Sequence, residues 1–141
     1  MPSPGLVARV SRARRSLEKL RKLAAMSWEE YSSDEDAQTL AERHLHIILE
    51  CILDIAAFIA ARTGVARGPT YREVVRSLVE SGVIPAEFRQ IALSAPGMRN
   101  ILVHGYAEIR HDLIYRVLRT ELDSLAQLLE LLRSEAESLD P

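Results

Sequence analysis

Cysteine is almost absent from this sequence of 141 residues, and aromatic side chains make up only 5% of it. The single cysteine, Cys51, excludes an intrachain disulfide, and its neighbours Leu49 and Ile52 predict a buried small hydrophobe rather than a reactive thiol. No C-x-x-C, H-E-x-x-H, P-loop or G-x-G-x-x-G segment occurs, and no spacing marks a serine or cysteine nucleophile. We therefore expect neither a metal ion nor a cofactor.

A large excess of charge of either sign is also missing. With 18 basic and 20 acidic residues the net charge is −2, which excludes a globally basic nucleic-acid binder and confines any RNA binding to local patches. No apolar segment typical of a secretory signal follows the charged N-terminus, and Glu50 and Asp54 interrupt the most apolar run, residues 45–61. We expect no membrane span and a cytoplasmic location.

Strand patterns, repeats and low-complexity segments are absent as well, whereas apolar residues recur at helical spacing along the chain. The length fits a single domain, residues 1–141, around one core. The sequence predicts an all-α fold, an antiparallel bundle of about five helices joined by short loops. The predicted helices are Leu6–Met26, Asp36–Arg62, Tyr71–Glu80, one that begins at Pro85, and Asp112–Ser138, with Trp28–Asp34 as a linker.

Turn residues set several of these boundaries. Thr70 is a good N-cap, with Glu73 three residues later as a capping-box partner. Ser81–Gly82 should stop that helix, and Pro85 should begin the next at a first-turn position. Pro96–Gly97 then predicts a kink or a short break before the segment of greatest chemical interest.

The first predicted helix is strongly basic outside its apolar stripe, and Glu18 is its only acid. These cations either form a solvated face or contact phosphate groups near a cleft, and the salt dependence of RNA affinity distinguishes the two. The basic residues are Arg9, Arg12, Arg14, Arg15, Lys19, Arg21 and Lys22.

The second predicted helix is apolar on nearly all sides after Leu45, so it is either central to the fold or part of a subunit interface. One polar stripe remains, formed by Arg43, His46, Glu50 and Asp54 at helical spacing. Two carboxylates at i,i+4 repel each other unless a cation or a hydrogen bond faces them. Either Arg43 and His46 satisfy this stripe locally, or Arg99 does so from across the bundle.

The segment from Arg99 to Tyr106 carries the strongest chemical signal. An arginine can hold a phosphate with a planar fork of donors, and a histidine can move a proton near neutral pH. Asn100 and His104 share a helix face, but Arg99 lies roughly 140° from His104 around the axis. Either the long Arg99 side chain wraps around the helix, or a second copy of the chain completes the site, since a symmetric pair of helices brings two arginines and two histidines into one cleft. Gly105 should end the helix, because glycine tolerates the left-handed conformation.

This segment fits R-x4-H-x-Y and resembles the HepT toxin family of HEPN-domain ribonucleases. Residues 41–55 resemble the second helix of that family, residues 71–84 resemble the helix and turn that follow, and residues 112–132 come after the motif as in the family. The similarity covers roughly residues 36–133, most of the chain.

The resemblance implies a metal-independent endoribonuclease that acts as a toxin, with Arg99 and His104 as catalytic residues. From their helical spacing we expect Asn100, Glu50 and Asp54 in support. It also implies a homodimer with facing motifs, an RNA substrate such as tRNA or mRNA, and a minimal nucleotidyltransferase (MNT) antitoxin that attaches adenylate to Tyr106. A second hypothesis is a non-catalytic HEPN module that binds a nucleotide or only pairs with a nucleotidyltransferase, and a third is a plain helical adaptor.

Overall fold

The structure is a computed structural model that describes residues 4–66 and 68–139, apart from the side chain of Tyr106. No strand occurs in these residues, so the all-α prediction is confirmed. Short 3₁₀ turns lie at Ala86–Phe88 and Tyr106–Glu108. The α-helices are α1 (Pro4–Ala24), α2 (Trp28–Ser32), α3 (Glu35–Thr63), α4 (Tyr71–Glu80), α5 (Arg89–His104), α6 (His111–Thr120) and α7 (Leu122–Leu139).

Helix α3 is the centre of the bundle, and every other α-helix packs against it. It begins at the N-cap Asp34 and ends at Gly64, whose φ of 74° is a left-handed cap. Its buried residues lie on several faces, so most of its apolar surface is used inside the chain, as expected of a central helix. By length and composition α3 could also cross a membrane, but 56% of its most apolar stretch is buried in the fold, as in the core helix of a globular protein.

The predicted linker Trp28–Asp34 is wrong, because residues 28–32 form the short helix α2. Ser27 and Glu30 make a reciprocal capping box, which satisfies the first free N–H groups of this helix. The Tyr31 ring is fully buried, and its hydroxyl lies 3.0 Å from Nδ1 of His111. Local capping and this tertiary anchor together stabilise a helix that is too short for periodicity to reveal.

The predicted single last helix, Asp112–Ser138, is two helices separated at Glu121, where φ is −118° and ψ is −4°. The buried leucines 118, 122 and 125 continue at spacings of four and three through the break, so the apolar pattern conceals it. Helix α7 then supplies much of the core through Leu125, Leu128, Leu129 and Leu132, all of which are fully buried.

Helix α5 carries the Arg99–His104 segment without interruption, so Pro96 lies inside a continuous helix and the predicted short break does not occur. Pro85 precedes a 3₁₀ turn rather than the helix itself, which begins only at Arg89. Gly105 ends α5 as predicted, but its φ is −102°, not left-handed. A Cβ at this position would lie 3.1 Å from the carbonyl oxygen of Ile101, so close packing, rather than backbone freedom, favours glycine here.

Around α4 the predicted N-cap and helix stop both occur, but the reciprocal capping box does not, because Oε1 of Glu73 accepts a hydrogen bond of 2.7 Å from the Thr70 hydroxyl instead of from its backbone N–H. The Thr70 hydroxyl accepts a hydrogen bond from the backbone N–H of Glu73 at 3.1 Å, and Gly82, with φ of 82°, follows the helix end at Ser81. These caps fix the position of Tyr71, the first residue of α4, close to α5.

Candidate functional site

Arg99 is held in place by residues from three helices. Its Nε donates a hydrogen bond of 2.6 Å to Oε1 of Glu50 on α3, and its Nη1 donates one of 3.2 Å to Oδ1 of Asn100. The guanidinium carbon lies 5.6 Å from the centre of the Tyr71 ring, within cation–π distance. Only 23% of the side chain is exposed. Because these contacts use two of its five N–H donors, Arg99 is oriented and still able to bind an anion.

Glu50 receives two donors on one oxygen, because His46 Nε2 also lies 3.2 Å from Oε1. Partial burial raises the pKa of Glu50, but the hydrogen bonds from Arg99 and His46 outweigh burial and bring that pKa below its usual range. Glu50 is therefore ionised at neutral pH. The two predicted ways of satisfying this carboxylate, from within α3 and from across the bundle, both occur, whereas Arg43 makes no ion pair within the described residues.

Asp54 supports Arg99 indirectly, through Tyr71. It accepts a hydrogen bond from the hydroxyl of Tyr71, and Nη1 of Arg9 lies 3.9 Å from its other oxygen. Burial and the bond to Asp54 raise the pKa of Tyr71 to about 12, so the phenol stays a protonated donor. Asp54 thus positions the ring against which Arg99 rests. Tyr71 and Arg9 were not among the predicted site residues, because they come from other helices and no local spacing connects them to Asp54.

His104 is the last residue of α5 and is exposed. Within the described residues its ring has no hydrogen-bond partner, and no hydrogen bond joins it to Arg99. Asn100, one turn earlier, is also at the surface. One chain therefore holds Arg99 against α3 and leaves His104 at the helix end, in keeping with their separation around the axis. That Arg99 and His104 share one site stays a prediction. That Tyr106 is modified also stays a prediction, because its side chain lies outside the described part of the structure.

Two cavities flank this part of α5. One of about 450 Å³ lies between the start of α4 and α5, with Tyr71, Arg72, Arg99 and Asn100 in its wall. The other, of about 350 Å³, is mostly apolar and lies between α5 and α6. Two large apolar side chains at its edge are unusually open to solvent, with Ile101 53% and Leu113 46% exposed. The apolar surface between α5 and α6 is therefore only partly covered by the described residues.

The other histidines have packing roles. His44 Nδ1 lies 3.0 Å from the Ser16 hydroxyl, and burial, followed by the charges of nearby Lys19 and Arg43, lowers the pKa of His44. His111 contacts the Tyr31 hydroxyl, and its Nε2 lies 3.4 Å from Glu42. These contacts tie both histidines into the packing of the fold. Among residues 4–66 and 68–139, no group of three or more His, Cys, Asp or Glu side chains is arranged to hold a metal ion.

Comparison with known proteins identifies the family. The model of the family described as ribonuclease HepT-like matches residues 13–132. The tRNA nuclease HepT of Aphanizomenon flos-aquae (strain 2012/KM1/D3) is 27% identical over 101 residues, which are 72% of this chain and 69% of that protein.

Solved structures share the fold. The tri-AMPylated HEPN toxin of Shewanella oneidensis, in complex with an MNT antitoxin, matches with a TM-score of 0.81 and 18% identity, over 94% of this chain and 98% of that one. The cytosolic protein YutE of Bacillus subtilis matches with a TM-score of 0.69 and 20% identity, over 93% and 90%. The family model covers most of the chain, and this protein belongs to the ribonuclease HepT-like family.

Proposed function

We propose that this chain is a metal-independent endoribonuclease, the toxin of a toxin–antitoxin pair, and that its active site combines Arg99 and His104 at the cleft of a homodimer. The observation that carries the proposal is that Arg99 is oriented but keeps free donors, while His104, five residues later, is exposed and has no hydrogen-bond partner among the described residues. Family membership and the relative named as a tRNA nuclease support RNA, and tRNA first, as the substrate.

The chemistry needs no metal, because RNA carries its own nucleophile next to each phosphate. The 2′-oxygen attacks the phosphorus, the bond from phosphorus to the 5′-oxygen breaks, and a cyclic phosphate and a 5′-hydroxyl remain. His104 takes the proton from the 2′-hydroxyl while water protonates the leaving 5′-oxygen, or it protonates the 5′-oxygen while water takes the 2′-proton. The free N–H groups of Arg99 stabilise the charge that develops on the phosphate oxygens. Glu50 and Asp54 keep the arginine in position, and Asn100 adds a second polar group at the rim.

A homodimer would bring the two side chains together. The exposed apolar residues Ile101 and Leu113 line the cavity between α5 and α6, whose wall also includes Gly105, the residue after His104, and a second copy of the same surface would bury them. Around a two-fold axis, His104 of one protomer then faces Arg99 of its partner. This arrangement explains how residues 140° apart on one helix can act on one phosphate.

The relative solved with an MNT antitoxin is tri-AMPylated, which supports a nucleotidyltransferase partner and a nucleotidylated residue here as well. Tyr106 is the proposed acceptor, because its phenol can take a nucleotidyl group and it follows His104 by two residues. Each added phosphodiester brings a negative charge that can pair with Arg99 and compete with substrate phosphate.

Mixed dimers test the composite site directly. Arg99→Ala and His104→Ala chains should each be inactive, but a mixed dimer keeps one complete site if Arg99 and His104 act across the interface. Random mixing makes half of the dimers mixed, with one site of two intact, so cleavage of tRNA should recover to about one quarter of the parent rate. No recovery from a mixture that has exchanged subunits would refute the composite site.

Two further measurements test the metal-free mechanism and the modification of Tyr106. EDTA should leave tRNA cleavage unchanged, and loss of activity restored by added metal would contradict the mechanism. Incubation with the partner nucleotidyltransferase and ATP should add adenylate to the parent chain but not to Tyr106→Phe, as read by intact mass. A parent chain that pairs with this partner but never cleaves RNA would instead establish the non-catalytic HEPN module.

A further inference from the structure

A small basic cavity lies between α1 and α3, beside the pair of Glu50 and Arg99. Its volume is about 200 Å³, and its wall includes Arg9 and Arg12 of α1 with Arg43 and His46 of α3. The carboxylates of Glu50 and Asp54 also line it. The cavity is therefore connected to the proposed catalytic site through Glu50, the residue that holds Arg99.

Positive charge in this cavity is not balanced by the carboxylates in its wall. Glu50 already accepts hydrogen bonds from Arg99 and His46, and Asp54 accepts one from the Tyr71 hydroxyl. Arg9 reaches Asp54 only at 3.9 Å, the outer limit of an ion pair, and its side chain is 62% exposed.

Arg12 and Arg43 are both exposed, and neither makes an ion pair or a side-chain hydrogen bond with any residue that the structure describes. Three guanidinium groups thus surround a concave surface with their donors largely free. Arginine presents these donors in a flat fork that matches phosphate oxygens.

The opposite face of α1 shows that the fold can pair its arginines. Arg14 makes a two-pronged bond to Glu130 of α7, with Nε and Nη2 at 2.8 and 2.9 Å from the two carboxylate oxygens. Arg21 donates to Asp123 of α7 at 2.9 Å. Arginines on the α7 side are therefore neutralised by neighbouring carboxylates, whereas those on the α3 side are left for an external anion.

We infer that Arg9, Arg12 and Arg43 form a subsite for the RNA backbone, which binds a phosphate next to the one that is cleaved. This subsite rests on the proposed function, because it presumes an RNA strand at Arg99. Its cavity is concave and adjoins the residue that orients Arg99, so a strand bound at Arg99 can place its neighbouring phosphate there. An isolated patch of surface arginines would lack this continuity with the site.

The test measures tRNA affinity in the His104→Ala background, where binding is not followed by cleavage. Arg12→Gln and Arg43→Gln should each remove about one phosphate contact. Because log affinity falls as log salt rises, this loss should make the negative slope shallower by roughly 0.7–0.9. The same relation gives an affinity loss of about five- to eightfold near 0.1 M salt. In chains with His104 intact, each substitution should raise KM and leave kcat unchanged.

Arg14→Gln and Arg21→Gln are matched controls, since they remove the same charge from the same helix on its paired face. They should leave both the affinity and the salt slope close to those of the His104→Ala parent. Equal effects of Arg12→Gln and Arg14→Gln would overturn the subsite and leave only a general effect of net charge.

Two other outcomes have distinct meanings. A His104→Ala parent that does not bind tRNA at all would overturn the proposed function, and the subsite with it. If Arg12→Gln and Arg43→Gln keep full tRNA affinity but lose the nucleotidyltransferase partner, the cavity binds acidic side chains of a protein, and the RNA subsite is wrong.

Discussion

The two faces of α1 carry similar arginines and differ in what surrounds them. Towards α7, Arg14 and Arg21 meet carboxylates placed at hydrogen-bond distance. Towards α3, Arg9 and Arg12 meet Arg43 and two carboxylates that already have other partners. Exposed ion pairs contribute at most about 1 kcal/mol to stability, and close like charges oppose folding by a similar amount. The ion pairs on the α7 side thus stabilise the fold slightly. The arginines on the α3 side lower its stability unless an anion binds there.

Arg99 combines both situations. It is paired like Arg14, through a 2.6 Å bond to Glu50, yet the described residues leave most of its donors free, as in Arg12. The pair fixes the direction of the guanidinium without saturating it. Comparing substitutions at these three arginines therefore separates catalysis, binding and stability within one residue type.

The largest expected effect lies outside the arginines, at His104. His104→Ala should lower kcat for RNA cleavage by roughly 10²–10⁴, the usual contribution of general acid–base catalysis. Because the side chain is exposed and bonds to no described residue, the melting temperature should not change. Rates from a single-turnover assay, with thermal unfolding as the control, measure both. Parent-like cleavage by His104→Ala would remove this histidine from the mechanism.

The next largest effect is expected from substitutions of Arg99. Arg99→Ala should lower kcat by about 10²–10³ through loss of charge stabilisation. Arg99→Lys should recover only part, since an ammonium keeps the charge but not the fork that binds Glu50 and phosphate together. Unlike His104→Ala, both variants should also lose stability, because a half-buried Glu50 is left without its closest donor. Full activity in Arg99→Lys would show that charge alone suffices.

A smaller effect, on the free energy of unfolding, should rank the two faces of α1 in the opposite order to RNA binding. Arg14→Gln breaks the two-pronged bond to Glu130 and should lower the free energy of unfolding by up to about 1 kcal/mol. Arg12→Gln should leave it unchanged or raise it slightly, because it relieves repulsion around the basic cavity. Urea unfolding at neutral pH and low salt measures the difference. Equal destabilisation by both would mean that the two faces do not differ in this way.

The smallest expected effect is on the stability of the fold at low pH. Hydrogen bonds from Arg14 and then Arg133 outweigh partial burial and lower the pKa of Glu130 to about 2. A carboxylate with a depressed folded pKa stabilises the fold above its unfolded value of about 4.5 and loses that contribution as the pH falls towards 2. Arg14→Gln should therefore lose less stability than the parent between pH 7 and pH 3. Identical pH dependence in the two chains would contradict this assignment.

Local sequence was sufficient for most of the fold, because caps and periodicity are local. The Thr70 cap and the helix stop at Ser81–Gly82 were predicted from side chains adjacent to them. The α6–α7 break was not, since the apolar spacing continues through Glu121. Helix α2 has a local signal, the capping box of Ser27 and Glu30, that could have revealed it.

The candidate site likewise has residues that local sequence predicts and contacts that only the packed bundle shows. Glu50 and Asp54 could be singled out because two carboxylates at i,i+4 on an apolar helix require partners. Which partners they have is a property of the packed bundle: Arg99 reaches Glu50 across 49 positions of sequence, and Tyr71 reaches Asp54 from another helix. No spacing within one helix encodes these contacts, so the role of Tyr71 could be found only in three dimensions. Arg9 was already among the basic residues considered as phosphate contacts, but its position beside Asp54 could not be predicted.

The dependence of the core on α7 affects how genetic data on this chain should be interpreted. The leucines of α7 close the bundle from near its C-terminal end, and truncating a single one to alanine costs about 2–5 kcal/mol. In a selection for cells that survive expression of the chain, premature stops and polar substitutions across α3 and α7 will therefore outnumber lesions at Arg99 or His104. Survivors that still accumulate folded, full-length protein are the informative minority, and only their substitutions map the site.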